Sequence, residues 1–401
     1  MTPPPAAGPV VAASGEVAVP RARSLRLQLD PLLTLAAVGL GVCSLLTLRA
    51  ATEHLISGQP HYYVERQAIY LVVGLALMVA LSRASCSRLR HAGYGIYAAL
   101  IVSILAVLAL GHTAKGAQRA INFPLFSFQA SEIGKVLLIL ALSALLVARS
   151  RHLREVSTTA RVLAAAAVPA LLVIAQPDLG SGMVYMVIAF MLLFVAGTSW
   201  RQLTALLALA LVAASLVLVA APAAGVHVLK TYQVERLTAF LHPSSNPEKQ
   251  GYQQEESKVA IGAGQKTGRG ESATQTKLNF VPEDHTDFIF AAVGEQYGFV
   301  GAALVLSLYA LLIWRTLRIL TTSKDMFGAL VAGGVVAMLM FQVFVNVGMS
   351  VGIMPITGVT LPLMSYGGSS VITTLLAVGL LQSIYVRAGA SQAPRNRALR
   401  Y

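Results

Sequence analysis

Three acids and a histidine crowd into five residues, as Glu283, Asp284, His285 and Asp287, and the apolar run 288–293 follows at once. A carboxylate at the lip of an apolar segment suits a general base, provided that a hydroxyl can be delivered to it. Asp287 lies nearest the apolar run, with His285 beside it. A plainer account also holds, because acids in the first turn of a helix interact well with its macrodipole. That account covers Glu283 and Asp284 well. Glu295 follows eight residues after Asp287, which on a helix places it about 12 Å deeper and about 80° around. It is therefore not half of a close carboxylate pair.

Four further stretches bring polar groups to the edge of apolar ones. In "AKGAQRAINFPLFSFQASEIGK" (114–135), Lys115 and Arg119 precede Glu132 and Lys135. The last two are three residues apart and share a helix face. They form either an ion pair that neutralises itself or charge brought to a site. In "QPDLGSG" (176–182), Asp178 is either a helix cap or a site acid. The stretch 251–270 holds Lys258, Lys266 and Arg269 among glycines. Such a stretch can offer backbone N–H groups and cations to an anion, and glycine-rich flexibility is an equally good account. In "GIMPITGVTLPLMSYGGSS" (352–370), prolines and glycines interrupt an apolar segment. Irregular backbone at membrane depth needs protein or a water-filled cavity around it, so a re-entrant outer loop is expected. Cations on one side suit an anionic, phosphate-bearing lipid headgroup. There is no HExxH, GxSxG, GxxxxGK[ST] or cysteine cluster, which argues against zinc proteases, serine nucleophiles and nucleotide P-loops.

The elements that must position these groups are membrane helices. Hydrophobic residues make up 56% of the chain and charged residues 12%, about half the charge of an average soluble domain. Apolar runs near 31–48, 67–82, 92–111, 132–148, 162–176, 180–198, 203–223, 287–313, 328–350 and 369–387 predict ten spans. The net charge of +13 reads as positive-inside bias rather than nucleic-acid binding. With the N-terminus inside, the arginine groups 83–90, 149–161 and 387–400 all fall on the inner side. The short outer connectors hold only Arg49, Arg66, Lys115 and Arg119. The expectation is an all-α polytopic bundle of ten transmembrane helices with both termini cytoplasmic. Residues 1–30 form a disordered tail, 31–390 the membrane domain, 225–286 a large outer loop between helices seven and eight, and 391–401 a basic tail. Asp287 then faces outward. Cys43 falls in a span and Cys86 in a connector, so no disulfide is implied.

Taken together, "KGAQR.I", "FQ.SE..K", "QPDLG", "KLNFVPEDHTDFIFAAVGEQYGFVG" and "GVTLPLMSYGGSS" resemble the SEDS family (shape, elongation, division and sporulation), across about residues 30–390. The stretch "NVGMSVGIMPITGV" (346–359) is similar to its RodA branch more than to its FtsW branch. The resemblance implies a ten-helix fold and peptidoglycan glycosyltransfer from lipid II, in a bacterial cytoplasmic membrane with the site on the extracytoplasmic side. It also implies a class B penicillin-binding protein as partner. The family's essential aspartate falls on Asp287, its "SE..K" residues on Glu132 and Lys135, and its QPDLG acid on Asp178. Ser365 and Ser369 lie in its last motif and His285 beside its aspartate, and all three are expected at the substrate. Three departures stand out: Ala120 in place of the common Trp, Ala130 in place of Pro, and "EESKVAIGAGQ" in the outer loop.

The mechanism implied is inverting. Asp287 takes the proton of the attacking 4-hydroxyl, and undecaprenyl diphosphate leaves. Arg119, Lys135 and a loop cation such as Lys258 or Arg269 are the candidates to stabilise it. A divalent cation, Mg or Mn, is compatible with this chemistry although no ligand set is legible, and no organic cofactor is implied. Two other readings fit the same bundle: a lipid II flippase and a non-catalytic scaffold for a transpeptidase.

Overall fold

Helix formation starts at a capped end. Asp30 N-caps the first helix, its Oδ1 accepting the backbone N–H groups of Leu32 and Leu33 at 3.1 Å each, and Pro31 takes the first helical position. The computed structural model describes residues 29–53, 59–114, 117–122, 127–216, 250–276 and 285–390. The tails expected at 1–30 and 391–401 fall outside these except for Leu29 and Asp30. Asp30 belongs to the bundle rather than to a tail. It is fully buried, its Oδ2 accepts from Arg315 Nε at 2.9 Å, and its N–H donates to Gln382 at 2.8 Å.

Nine helices among the described residues are long and apolar enough to cross a bilayer. Numbered with the shorter ones, the main helices are α1 (Pro31–Thr52), α2 (Tyr62–Arg83), α3 (Gly93–Leu110), α4 (Ala130–Ala148), α5 (Val156–Ala175), α6 (Leu179–Ala196), α7 (Trp200–Ser215), α8 (Gln250–Ala263), α9 (Ile289–Thr322), α10 (Met326–Val351) and α11 (Gly368–Ala390). The span expected at 203–223 corresponds to α7, and residues 217–249 lie outside the described residues. Several helices outrun the apolar runs that predicted them. α5 starts at Val156 rather than near 162, and α9 continues to Thr322 rather than 313. A helix needs an apolar middle only, and its polar ends reach beyond the hydrocarbon. α9 is also kinked, with Gly298 at φ 61° and ψ −157°.

Two connectors are more ordered than expected. Between α3 and α4 the chain forms β1 (His112–Ala114), β2 (Ala117–Asn122) and β3 (Ser127–Phe128), antiparallel in the order β1-β2-β3. This corrects the all-α expectation locally: a connector of that length satisfies its backbone by pairing with itself. The outer loop carries α8, packed on α9 and α10.

The bundle is layered around α4. In its most apolar stretch α4 is 83% buried, whereas α3 is only 17% buried and leaves a broad apolar face. α4 contacts α3, α5, α6, α10 and α11, and α11 packs along α2 while α9 packs along α1. A helix enclosed by protein on every side is where charged residues can be kept away from lipid.

Candidate active site

The segment 353–367 between α10 and α11 contains no helix, and Ile356, Val359 and 361–365 within it are buried. Its carbonyls are satisfied by side chains from the bundle, as irregular backbone at this depth requires. Ser44 of α1 donates to Met364 O at 2.7 Å. Gln67 of α2 donates to Ser365 O at 3.2 Å and to Ser44 Oγ at 3.1 Å. Tyr309 of α9 donates to Pro362 O.

That loop in turn holds the segment carrying Asp287. Three successive carbonyls are captured. Tyr366 N–H donates to His285 O at 2.9 Å, Ser365 Oγ to Thr286 O at 2.6 Å, and Asn346 Nδ2 to Asp287 O at 2.8 Å. Asn346 Nδ2 also donates to Val359 O at 2.8 Å, so one α10 side chain ties both strands of the site together. The His285 ring lies 4.9 Å from Tyr63 and 6.2 Å from Tyr366, centroid to centroid. Asp287 itself is partly exposed, while Phe288–Gln296 behind it is buried throughout, with Glu295 and Gln296 its polar side chains.

Four residues after Ser365, Ser369 reaches the other side of the site. Its hydroxyl donates to Ser127 O at 2.6 Å and accepts from Gln129 N at 3.0 Å, fixing the entry into α4. Asp178 caps α6 through Oδ1, accepting from Ser181 N at 3.0 Å. Its Oδ2 accepts from Ser131 Oγ at 2.9 Å and Gln129 Nε2 at 3.3 Å. The cap considered for this acid is therefore present, and the same side chain also ties α6 to α4. Glu132 and Lys135 pair at 2.6 Å with side chains 7% and 2% exposed. The pair satisfies itself, as the first of its two readings expected, within a helix that buries it.

The outer loop docks by different contacts. From α8, Gln254 donates to Met354 O at 2.9 Å and Ser257 to Ser350 O at 2.8 Å, seating α8 on the end of α10. Lys258 pairs with Glu255 at 2.9 Å in a half-exposed position. Arg269 donates to Thr274 Oγ1 at 3.2 Å from an exposed position. Two of the glycines have a packing role that the sequence did not show. A Cβ on Gly264 would stand 1.8 Å from Gly294 O, and one on Gly268 (φ +85°) 2.1 Å from Gln296 O. They allow the loop backbone to lie directly against kinked α9. Glu295, fully buried, fastens this contact: Thr274 and Gln275 donate to Oε1 at 2.8 and 2.9 Å, and Thr276 to Oε2 at 2.8 Å.

Arg119 lies on β2 with its side chain outside the described residues, as are Lys115, Glu283 and Asp284 altogether. Among the described residues no group of three or more His, Cys, Asp or Glu side chains converges. Cys43 and Cys86 are both free thiols.

Sequence reading missed Tyr63, Gln67 and Asn346. Gln342 and Asn346 were visible as amides four residues apart in an otherwise apolar run. Buried amides of that kind need partners, and this was the available signal.

Residues 28–389 match the model of the FtsW, RodA and SpoVE family, described as cell cycle proteins. The chain is 37% identical over 363 residues to the peptidoglycan glycosyltransferase MrdB of Escherichia coli (strain K12), covering 90% of this chain and 94% of that one. It is 36% identical over 360 residues to the probable peptidoglycan glycosyltransferase FtsW of Thioalkalivibrio sulfidiphilus, covering 88% and 87%. In fold it is similar to the crystal structure of Thermus thermophilus rod shape determining protein RodA, with TM-score 0.65 and 28% identity over 90% of this chain and 98% of that one. It is also similar to a chain from a peptidoglycan synthase complex solved for its coordination of polymerization and crosslinking, with TM-score 0.75 and 31% identity over 90% and 99%. With a match running through nearly its whole length, the chain belongs to the FtsW/RodA/SpoVE family of multi-pass membrane proteins.

Proposed function

We propose that this protein is a peptidoglycan glycosyltransferase that polymerises lipid II on the extracytoplasmic side of a bacterial cytoplasmic membrane, with Asp287 as general base. The observation that carries the site is the capture of the three carbonyls at 285–287 by Asn346, Ser365 and Tyr366. It fixes the backbone of one partly exposed aspartate at the junction of the outer loop and a buried helix. A general base must be held within hydrogen-bond reach of the proton it removes, and a backbone anchored on both sides supplies that placement.

Asp287 accepts the proton of the attacking sugar 4-hydroxyl. The oxygen attacks the anomeric carbon of the partner substrate with inversion, and the lipid diphosphate departs with the bonding pair. Cations compensate the charge that develops. Arg119, Lys258 and Arg269 are the candidates on the outer segments. Lys135, already matched to Glu132 in the bundle, contributes through the α4 entry rather than as an unmatched cation. Ser365 and Ser369 act by holding main chain on either side of the site. The arginine-rich connectors support the orientation. Similarity of residues 346–359 to the RodA branch supports a role in cell elongation and shape, beside a class B penicillin-binding transpeptidase.

The test is glycan-strand formation from lipid II by the purified protein, followed on a gel. Wild type is expected to polymerise and Asp287→Asn to fail while remaining folded. Wild-type-like polymer from Asp287→Asn would remove the assignment. Transport of lipid II without polymer would favour a flippase, and neither activity in the wild type a scaffold.

A further inference from the structure

At the end of α3 remote from the β-strands and the Asp287 site, a groove of about 490 Å³ opens between α3, α4 and α5. Its wall is apolar, and the space exists because small residues line it: Ala141, Ala144 and Ala148 stand on one face of α4, opposite Tyr94 and Tyr97 of α3. Arg90 and His91 line the same groove, and no acid does. Both are exposed, and among the described residues neither has a hydrogen-bond or ion-pair partner. Nothing in the glycosyl transfer uses this place.

We propose that the groove binds an anionic glycerophospholipid, its phosphate at Arg90 and His91 and an acyl chain laid along the tyrosines and the alanine face. The volume is in the range of small-ligand pockets. An arginine without an acid partner calls for an anion, with the His91 imidazole beside it as a hydrogen-bonding group, and the apolar floor would give a soluble anion nothing to bind. A zwitterionic headgroup would bring its own ammonium against Arg90, so net negative charge is selected. Tyrosines at this level are suited to the boundary between headgroup and chain.

Native mass spectrometry of the full chain, exchanged into mixed phosphatidylglycerol and phosphatidylethanolamine, tests this. Wild type is expected to retain phosphatidylglycerol preferentially. Arg90→Gln with His91→Gln should lower that retention about fivefold or more, the effect of losing one cation near an anionic headgroup. Ala148→Phe, which fills the groove without changing charge, should lower it similarly. Arg154→Gln, an exposed cation outside the groove, should leave it unchanged. The proposal is overturned if the two lipids are retained equally, if the groove variants match wild type, or if Arg154→Gln loses as much as they do.

Discussion

Asp287 and Glu295 lie on one continuous segment, yet the fold surrounds them differently. Glu295 is fully buried, and its two oxygens accept three successive backbone N–H groups from 274–276. Asp287 is partly exposed and is anchored through its own carbonyl oxygen, by Asn346. A carboxylate spent on backbone N–H groups is a fastener for the loop they belong to. One whose main chain does the anchoring can present its side chain in a fixed place. Charge and position along a helix do not show this difference in anchoring, and the hydrogen-bond partners do.

The largest effect is expected at Asp287. Asp287→Asn should reduce lipid II polymerisation about 10²- to 10⁴-fold, the usual contribution of a general base, with the thermal midpoint unmoved. A third carboxylate, Glu132, extends the contrast. Lys135→Met leaves it buried and unpaired, which should destabilise the protein by about 3–5 kcal/mol. Adding Glu132→Gln should recover part of that loss, as read from unfolding in detergent. If the double variant is no more stable than Lys135→Met, the pair is not acting as a self-contained unit.

Glu295→Ala should cost about 2–4 kcal/mol, since each orphaned buried N–H costs about 1–3 and water recovers some of it. Hydrogen exchange at 264–276 should rise while exchange in α4 stays as it was. Lost activity with an unmoved thermal midpoint and unchanged exchange would reverse the roles given to the two acids. The smallest effect belongs to Ser365→Ala, worth about 1–2 kcal/mol for the two hydrogen bonds of its hydroxyl, given to Thr286 O and accepted from Leu361 N. Because Ser365 holds Thr286 O, the loss should appear in kcat rather than KM. A change confined to KM would place Ser365 on the substrate instead.

Much of the architecture was legible because membrane helices are local objects. The apolar runs located nine helices that the structure shows as long and apolar enough to span, and missed mainly their polar ends. The β-strands at 112–128 were not legible, since pairing depends on which backbone groups lack other partners. In the stretch 251–270 the sequence offers an anion cradle or flexibility, and neither contains the direct approach of α9 to Gly264 and Gly268, which depends on tertiary packing.

The sequence alone determined which residues carry charge at the edges of apolar segments, because hydrocarbon penalises charge wherever it falls in the chain. Through the family resemblance its motifs also pointed to Asp287 as the acid to test. Only the tertiary structure decided what each acid does: Asp178 as cap and tie, Glu132 as the partner of Lys135, Glu295 as fastener. Those assignments depend on hydrogen-bond partners from distant segments, such as Asn346 and Ser365 on the carbonyls of 286–287. Such bonds form only where packing brings the donors within reach, and no local pattern encodes that distance.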